Sequence, residues 1–150
     1  LHALARSDCA VGNGIYDAAA TTSTYDRLVE LARHILAAGY PVLVDAANLK
    51  AWQRKAFREL AAARGVPFVI LACTAPEAVL QARLATRRAA GRDASEADQA
   101  VLAYQMRTRE AIMSDEKACT LTIDTSAPFP VDLPAALLDL PISSPPDPAR

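Results

Sequence analysis

Apolar side chains recur along this chain in two rhythms. Tyr25, Leu28, Val29, Ala32, Ile35 and Leu36 stand three and four residues apart, which predicts a helix with one apolar face over 21–38. Thr21, Thr22 and Ser23 offer hydroxyls to cap its start, and Gly39 suits the left-handed residue that ends it. A second helix is predicted over 50–63, with Trp52, Ala56, Phe57 and Leu60 inward and Gly65 closing it. A third opens on Thr74-Ala75-Pro76-Glu77 and runs to about Ala89. There Thr74 and Glu77 form a reciprocal cap and Pro76 suits the first turn. A fourth, over 96–113, starts from Ser95, and a short Pro-bounded helix falls around 132–139.

Short apolar runs of another kind lie between these helices. Pro41-Val42-Leu43-Val44-Asp45 and Phe68-Val69-Ile70-Leu71-Ala72-Cys73 read as strands buried on both faces. Cys119 to Asp124 alternates and reads as a third strand. The order is helix, strand, helix, strand, two helices, strand. Such alternation predicts an α/β fold, a parallel sheet flanked by helices. Residues 1–20 read as irregular and 141–150 as a frayed, disordered tail.

Composition sharpens this. With 150 residues, 52% of them hydrophobic, the chain can bury a core, so disorder is excluded as the overall class. A formal charge of −1 argues against a broad nucleic-acid surface. No apolar run approaches the ~18 residues of a membrane span. Cys9, Cys73 and Cys119 have no metal-type spacing, and Cys73 and Cys119 read as buried thiols, which fits a cytoplasmic location.

Candidate chemistry sits at strand ends. In open parallel sheets, ligands bind beyond the carboxyl ends of the strands. Asp45 and Asp124 each close an apolar run there. Such a carboxylate either holds Mg²⁺ beside a phosphate or caps a local turn. Arg83, Arg87, Arg88 and Arg92 form a cationic run with no acid between them. It is either a lid over phosphates or a solvated helix face. His2 and His34 define no catalytic arrangement. No Gly-x-x-x-x-Gly-Lys-Ser/Thr segment occurs in these residues, and Gly12-Asn13-Gly14 reads as a turn.

Several stretches resemble one family. Ala5-Arg6-Ser7-Asp8 and Ala10 to Tyr16 resemble part of the P-loop kinases identified as AAA family ATPases, which are similar to zeta-toxin and gluconate-kinase-like proteins. Gly39 to Ala46 is similar to their Walker-B-like strand, and Gly65 to Leu71 to the strand that follows. Arg83-Leu84-x-x-Arg87, Asp93 to Asp98 and Val101-Leu102-x-x-Gln105 resemble their lid region. The likeness covers about residues 5–140.

The resemblance implies a three-layer P-loop NTPase-like domain over 1–140, truncated at its N-terminus. It also implies ATP and Mg²⁺ as cofactors and a small-molecule phosphoryl acceptor. An aminoglycoside-phosphotransferase-like domain in the same parent chain is a further implied partner. Asp45 would be the metal-side acid, and Arg83, Arg87 and Arg92 the lid residues, with Arg88 on another face. Asp124, Thr125 and Ala127 would lie near the adenine, and Asp8 is a weak candidate base. The family's first strand and its phosphate loop would precede residue 5, so a chain of this extent is expected to be inactive alone. The alternatives are a non-catalytic remnant and a regulatory ATPase.

Overall fold

The computed structural model describes residues 18–90 and 99–127. They form α1 (Ala18–Ala37), α2 (Ala51–Arg64), β1 (Ile70–Thr74), α3 (Glu77–Ala90), α4 (Gln99–Thr108) and β2 (Thr120–Asp124), with a short 3-10 turn at Lys117–Cys119. The class is therefore α/β. Of the stretch expected to be irregular, residues 18–20 are helical instead, the start of α1, and 1–17 lie outside the described residues, as do the Ser95 cap, the helix expected at 132–139 and the tail.

The helices end as their sequences dictate. Gly39 and Gly65 both take positive φ, 84° and 62°. At each, two amides turn back onto the last helical carbonyls. Gly39 N–H reaches Leu36 O and Tyr40 N–H reaches Ile35 O; Gly65 N–H reaches Ala62 O and Val66 N–H reaches Ala61 O. Glycine bears the left-handed backbone without a Cβ clash.

The helix starts depart from expectation. Thr22 is not a cap but lies inside α1, where its hydroxyl donates back to Ala18 O, as that of Thr24 does to Ala20 O. Thr74 is the last residue of β1, and its hydroxyl donates across the sheet to Ile123 O. α4 stops at Thr108, short of the expected 113, because the following backbone is held by other partners.

β1 and β2 pair in parallel, Ile70 opposite Thr120 through Thr74 opposite Asp124. Parallel neighbours need a long crossover, and residues 75–119, including α3 and α4, supply it. Only Ile123 is deeply buried in this pair. Cys73 is exposed and Cys119 half-buried, so neither is the buried thiol expected from its apolar run.

The run Pro41–Asp45 forms neither helix nor strand. Apolar, β-branched composition favours a strand, yet only a hydrogen-bonded neighbour makes one, and none pairs with it among the described residues. Leu43, expected inside, is 84% exposed.

The chain divides into two compact units. One comprises residues up to 46 and 80–109, and buries Tyr25 and Ala32 of α1, Leu84 of α3 and Val101 of α4. The other comprises 47–79 and residues from 110, and buries Phe57, Leu60 and Ala61 of α2 with Ile123 of β2. Trp52, read as inward, is 42% exposed, while Gln53 and Arg54 take the buried positions instead.

Candidate functional site

The first unit carries Asp45, Arg83 and Arg87. Asp45 ends the apolar run, immediately before a bend at Ala46, and its side chain is exposed. No hydrogen bond or ion pair engages its carboxylate among the described residues. It therefore caps no turn there, and its oxygens can take a hard cation or an N–H donor. Arg83 and Arg87 stand four residues apart on α3, both exposed. Spacing of this kind puts them on one side of the helix. Arg92, Asp8 and the stretch Asp93–Asp98 lie outside the described residues.

The second unit carries Asp124, Thr125 and Ala127 at the carboxyl end of the parallel pair. Here the local fold is explicit. Thr125 N–H and its hydroxyl both donate to Thr74 O, at 2.8 and 3.0 Å. Asp124 Oδ1 accepts from Ser126 N–H at 2.8 Å and from the Ser126 hydroxyl at 2.6 Å. The turn after β2 is thus stitched to the last residue of β1, and Asp124 is spent in part on holding that turn. Ala127 is exposed at its edge.

A third constellation was not anticipated from sequence. Lys50, Arg54 and Arg58 recur every four residues along α2 and its N-cap, and meet Glu110, Glu116 and Asp115. The middle pair is buried: Arg54 is 5% and Glu116 3% exposed. Arg54 Nε and Nη2 grip the two oxygens of Glu116 at 2.8 and 2.9 Å. The remaining Nη protons reach main-chain carbonyls: Asn48 at 3.1 Å, Ala111 at 3.1 Å and, more loosely, Glu110 at 3.4 Å. All five guanidinium donors are used.

Glu116 Oε2 also accepts from Met113 N–H at 2.8 Å. The Arg54 fork holds the Glu116 carboxyl below its ordinary range against the opposing effect of burial, and Met113 N–H adds to the lowering. Glu116 in turn raises the affinity of Arg54 for its proton.

The two outer pairs are more exposed. Lys50, the N-cap of α2, has no side-chain acceptor, so the first helical amide, Ala51 N–H, donates instead to Glu110 Oε2 at 2.7 Å. That amide, with Lys50, keeps the Glu110 carboxyl below its usual range. Arg58 Nη2 meets Asp115 Oδ2 at 2.7 Å. The basic spacing on α2 was the one signal in sequence; its acidic partners lie about sixty residues away.

A cation would find no multidentate protein cage among the described residues, where no cluster of three or more His, Cys, Asp or Glu side chains occurs. No helix of the described residues is long and apolar enough to cross a membrane.

A model of the AAA domain family matches residues 5–112. Neither a curated protein nor a solved structure matches the chain.

Proposed function

Since the chain belongs to the AAA domain family, with the nucleotide-binding, P-loop kinase- or ATPase-like function that membership carries, we propose that it serves an ATP-dependent phosphotransferase acting on a small-molecule acceptor. The single observation that carries this is Asp45: an exposed carboxylate closing an apolar run and spent on no turn among the described residues. Its expected role is to receive and orient Mg²⁺ at the phosphates. Mg²⁺ supplies neutralisation of phosphate charge when bound.

Arg83, Arg87 and Arg92 add positive charge toward the transferred group, and their guanidinium planes match phosphate oxygens. For Asp124, Thr125 and Ala127, in the turn after β2 of the second unit, contact with the nucleotide's base is a separate proposal that rests on the family resemblance alone. Catalysis of this type rests on positioning and electrostatics rather than on a covalent intermediate.

Asp45→Asn in the full-length protein tests the proposal. Turnover is expected to fall at least about tenfold, with the melting temperature unchanged, because the side chain is exposed and unengaged. Near-normal turnover would reject the metal-side role of Asp45. The second reading is a domain that does no chemistry of its own, favoured by the lack of a Gly-x-x-x-x-Gly-Lys-Ser/Thr segment within these residues. ADP release by the full-length protein, measured with and without candidate acceptors, separates the readings. Acceptor-stimulated release marks a kinase, unstimulated release a regulatory ATPase, and none a non-catalytic domain.

A further inference from the structure

Arg54 commits every guanidinium donor it has, yet the proposed chemistry does not use it. Residues 109–116 make no helix or strand, so their main-chain carbonyls have no ladder to satisfy them. One guanidinium replaces that ladder, taking the carbonyls of Glu110 and Ala111 and both oxygens of Glu116. It takes the carbonyl of Asn48 as well, three residues after Asp45 in the chain.

The constraint continues toward β2. Glu116 O accepts from Cys119 N–H at 3.1 Å and from the Thr120 hydroxyl at 2.8 Å, and Thr120 is the first residue of β2. β2 then runs in register with β1 to Asp124, where Thr125 is stitched to Thr74. Every link from Arg54 to the Asp124 turn is therefore a named hydrogen bond or a strand pairing.

We propose that Arg54 is a positioning residue: through Glu116 it sets the start and register of β2, and so the placement of the Asp124–Ser126 turn. Its bearing on nucleotide rests on the reading given above for that turn; its bearing on the turn does not. Structure favours positioning over mere adhesion because the bonds are directional. A buried pair that served only for stability would be replaceable by apolar packing. One that orients a loop would not, since three carbonyls would lose their donor.

The test uses that difference. Arg54→Met with Glu116→Leu removes both charges together, leaves neither buried alone, and refills the space with apolar side chains. Arg54→Lys, which keeps the charge but not the planar fork, carries the same readouts if the double variant does not fold.

The double variant is expected to melt cooperatively and above the Glu116→Gln protein, because neither charge is left buried alone. Amides of Thr120–Ser126 should exchange with solvent about tenfold faster or more, while those of α1 are unchanged. In the full-length protein, KM for ATP is expected to rise about tenfold with kcat retained, the split expected of lost ground-state positioning.

Wild-type exchange at Thr120–Ser126 in a folded variant would overturn the proposal. If wild-type protein binds no ATP at all, it is the nucleotide reading that fails, and the exchange measurement still decides the role of Arg54.

Discussion

Replacing Glu116 with glutamine changes one atom of a buried carboxylate and should be among the costliest single substitutions in the chain. Oε2 accepts two bonds, from Arg54 Nη2 at 2.9 Å and Met113 N–H at 2.8 Å, while Oε1 accepts one, from Arg54 Nε at 2.8 Å. An amide has one acceptor end. The least damaging orientation puts its oxygen at the Oε2 position, which leaves its NH₂ facing the Nε–H donor. One charge-assisted bond is replaced by a donor–donor contact, and Arg54 is left buried without a counter-ion.

Breaking a buried pair from one side costs about 3–5 kcal/mol. That is a large share of a domain stability of about 5–15 kcal/mol. For a chain of this size it corresponds to a fall in melting temperature of roughly 6–20 °C.

The assay is thermal unfolding of both proteins, followed by circular dichroism and calorimetry at pH 7 and at steps down to about pH 3. Glu116 titrates below its ordinary 4.5 in the folded chain. A depressed folded value means that its contribution is fully present above the unfolded value and is lost as pH falls through the folded one. The glutamine side chain has no such titration, so the gap between the two proteins should be full above the ordinary carboxyl range and narrow as pH falls below it. A Glu116→Gln protein that melts within about 2 °C of wild type at pH 7 would refute the account, since that is worth no more than about 1 kcal/mol. So would a gap that stays constant with pH.

Other outcomes follow from exposure and capping. Glu110→Ala removes the acceptor for Ala51 N–H and the partner of Lys50, so amides of the first turn of α2 should exchange faster, with a smaller fall in melting temperature than Glu116→Gln. Unchanged exchange there would show that Glu110 caps nothing. Leu43→Ser, at an 84% exposed position, should change stability by no more than about 0.5 kcal/mol in denaturant titrations. A larger loss would mean that Leu43 is covered in solution. These 150 residues contain no Gly-x-x-x-x-Gly-Lys-Ser/Thr segment and should bind Mg·ATP more weakly than micromolar; calorimetric detection of micromolar binding would overturn that expectation.

What the residues settled by themselves is local. Glycines at 39 and 65 end α1 and α2 because only the chain's own backbone is involved in a helix end. The runs read as strands over 68–73 and 119–124 form strands over 70–74 and 120–124, and alternation with helices implied their parallel pairing. The family resemblance was legible too, because it rests on short stretches in order, and the family match covers residues 5–112.

Tertiary structure decided whatever needed a distant partner. Val42-Leu43-Val44 has the composition of a buried strand, but strand formation depends on a neighbour's hydrogen bonds, and Leu43 stands in solvent. Arg54 and Arg58 looked like an ordinary polar face of α2, yet Arg54 is more buried than Trp52 two residues earlier. No periodicity carries that information. A guanidinium can be buried only where five acceptors converge on it, and those acceptors come from residues 48, 110, 111 and 116, brought together by folding alone.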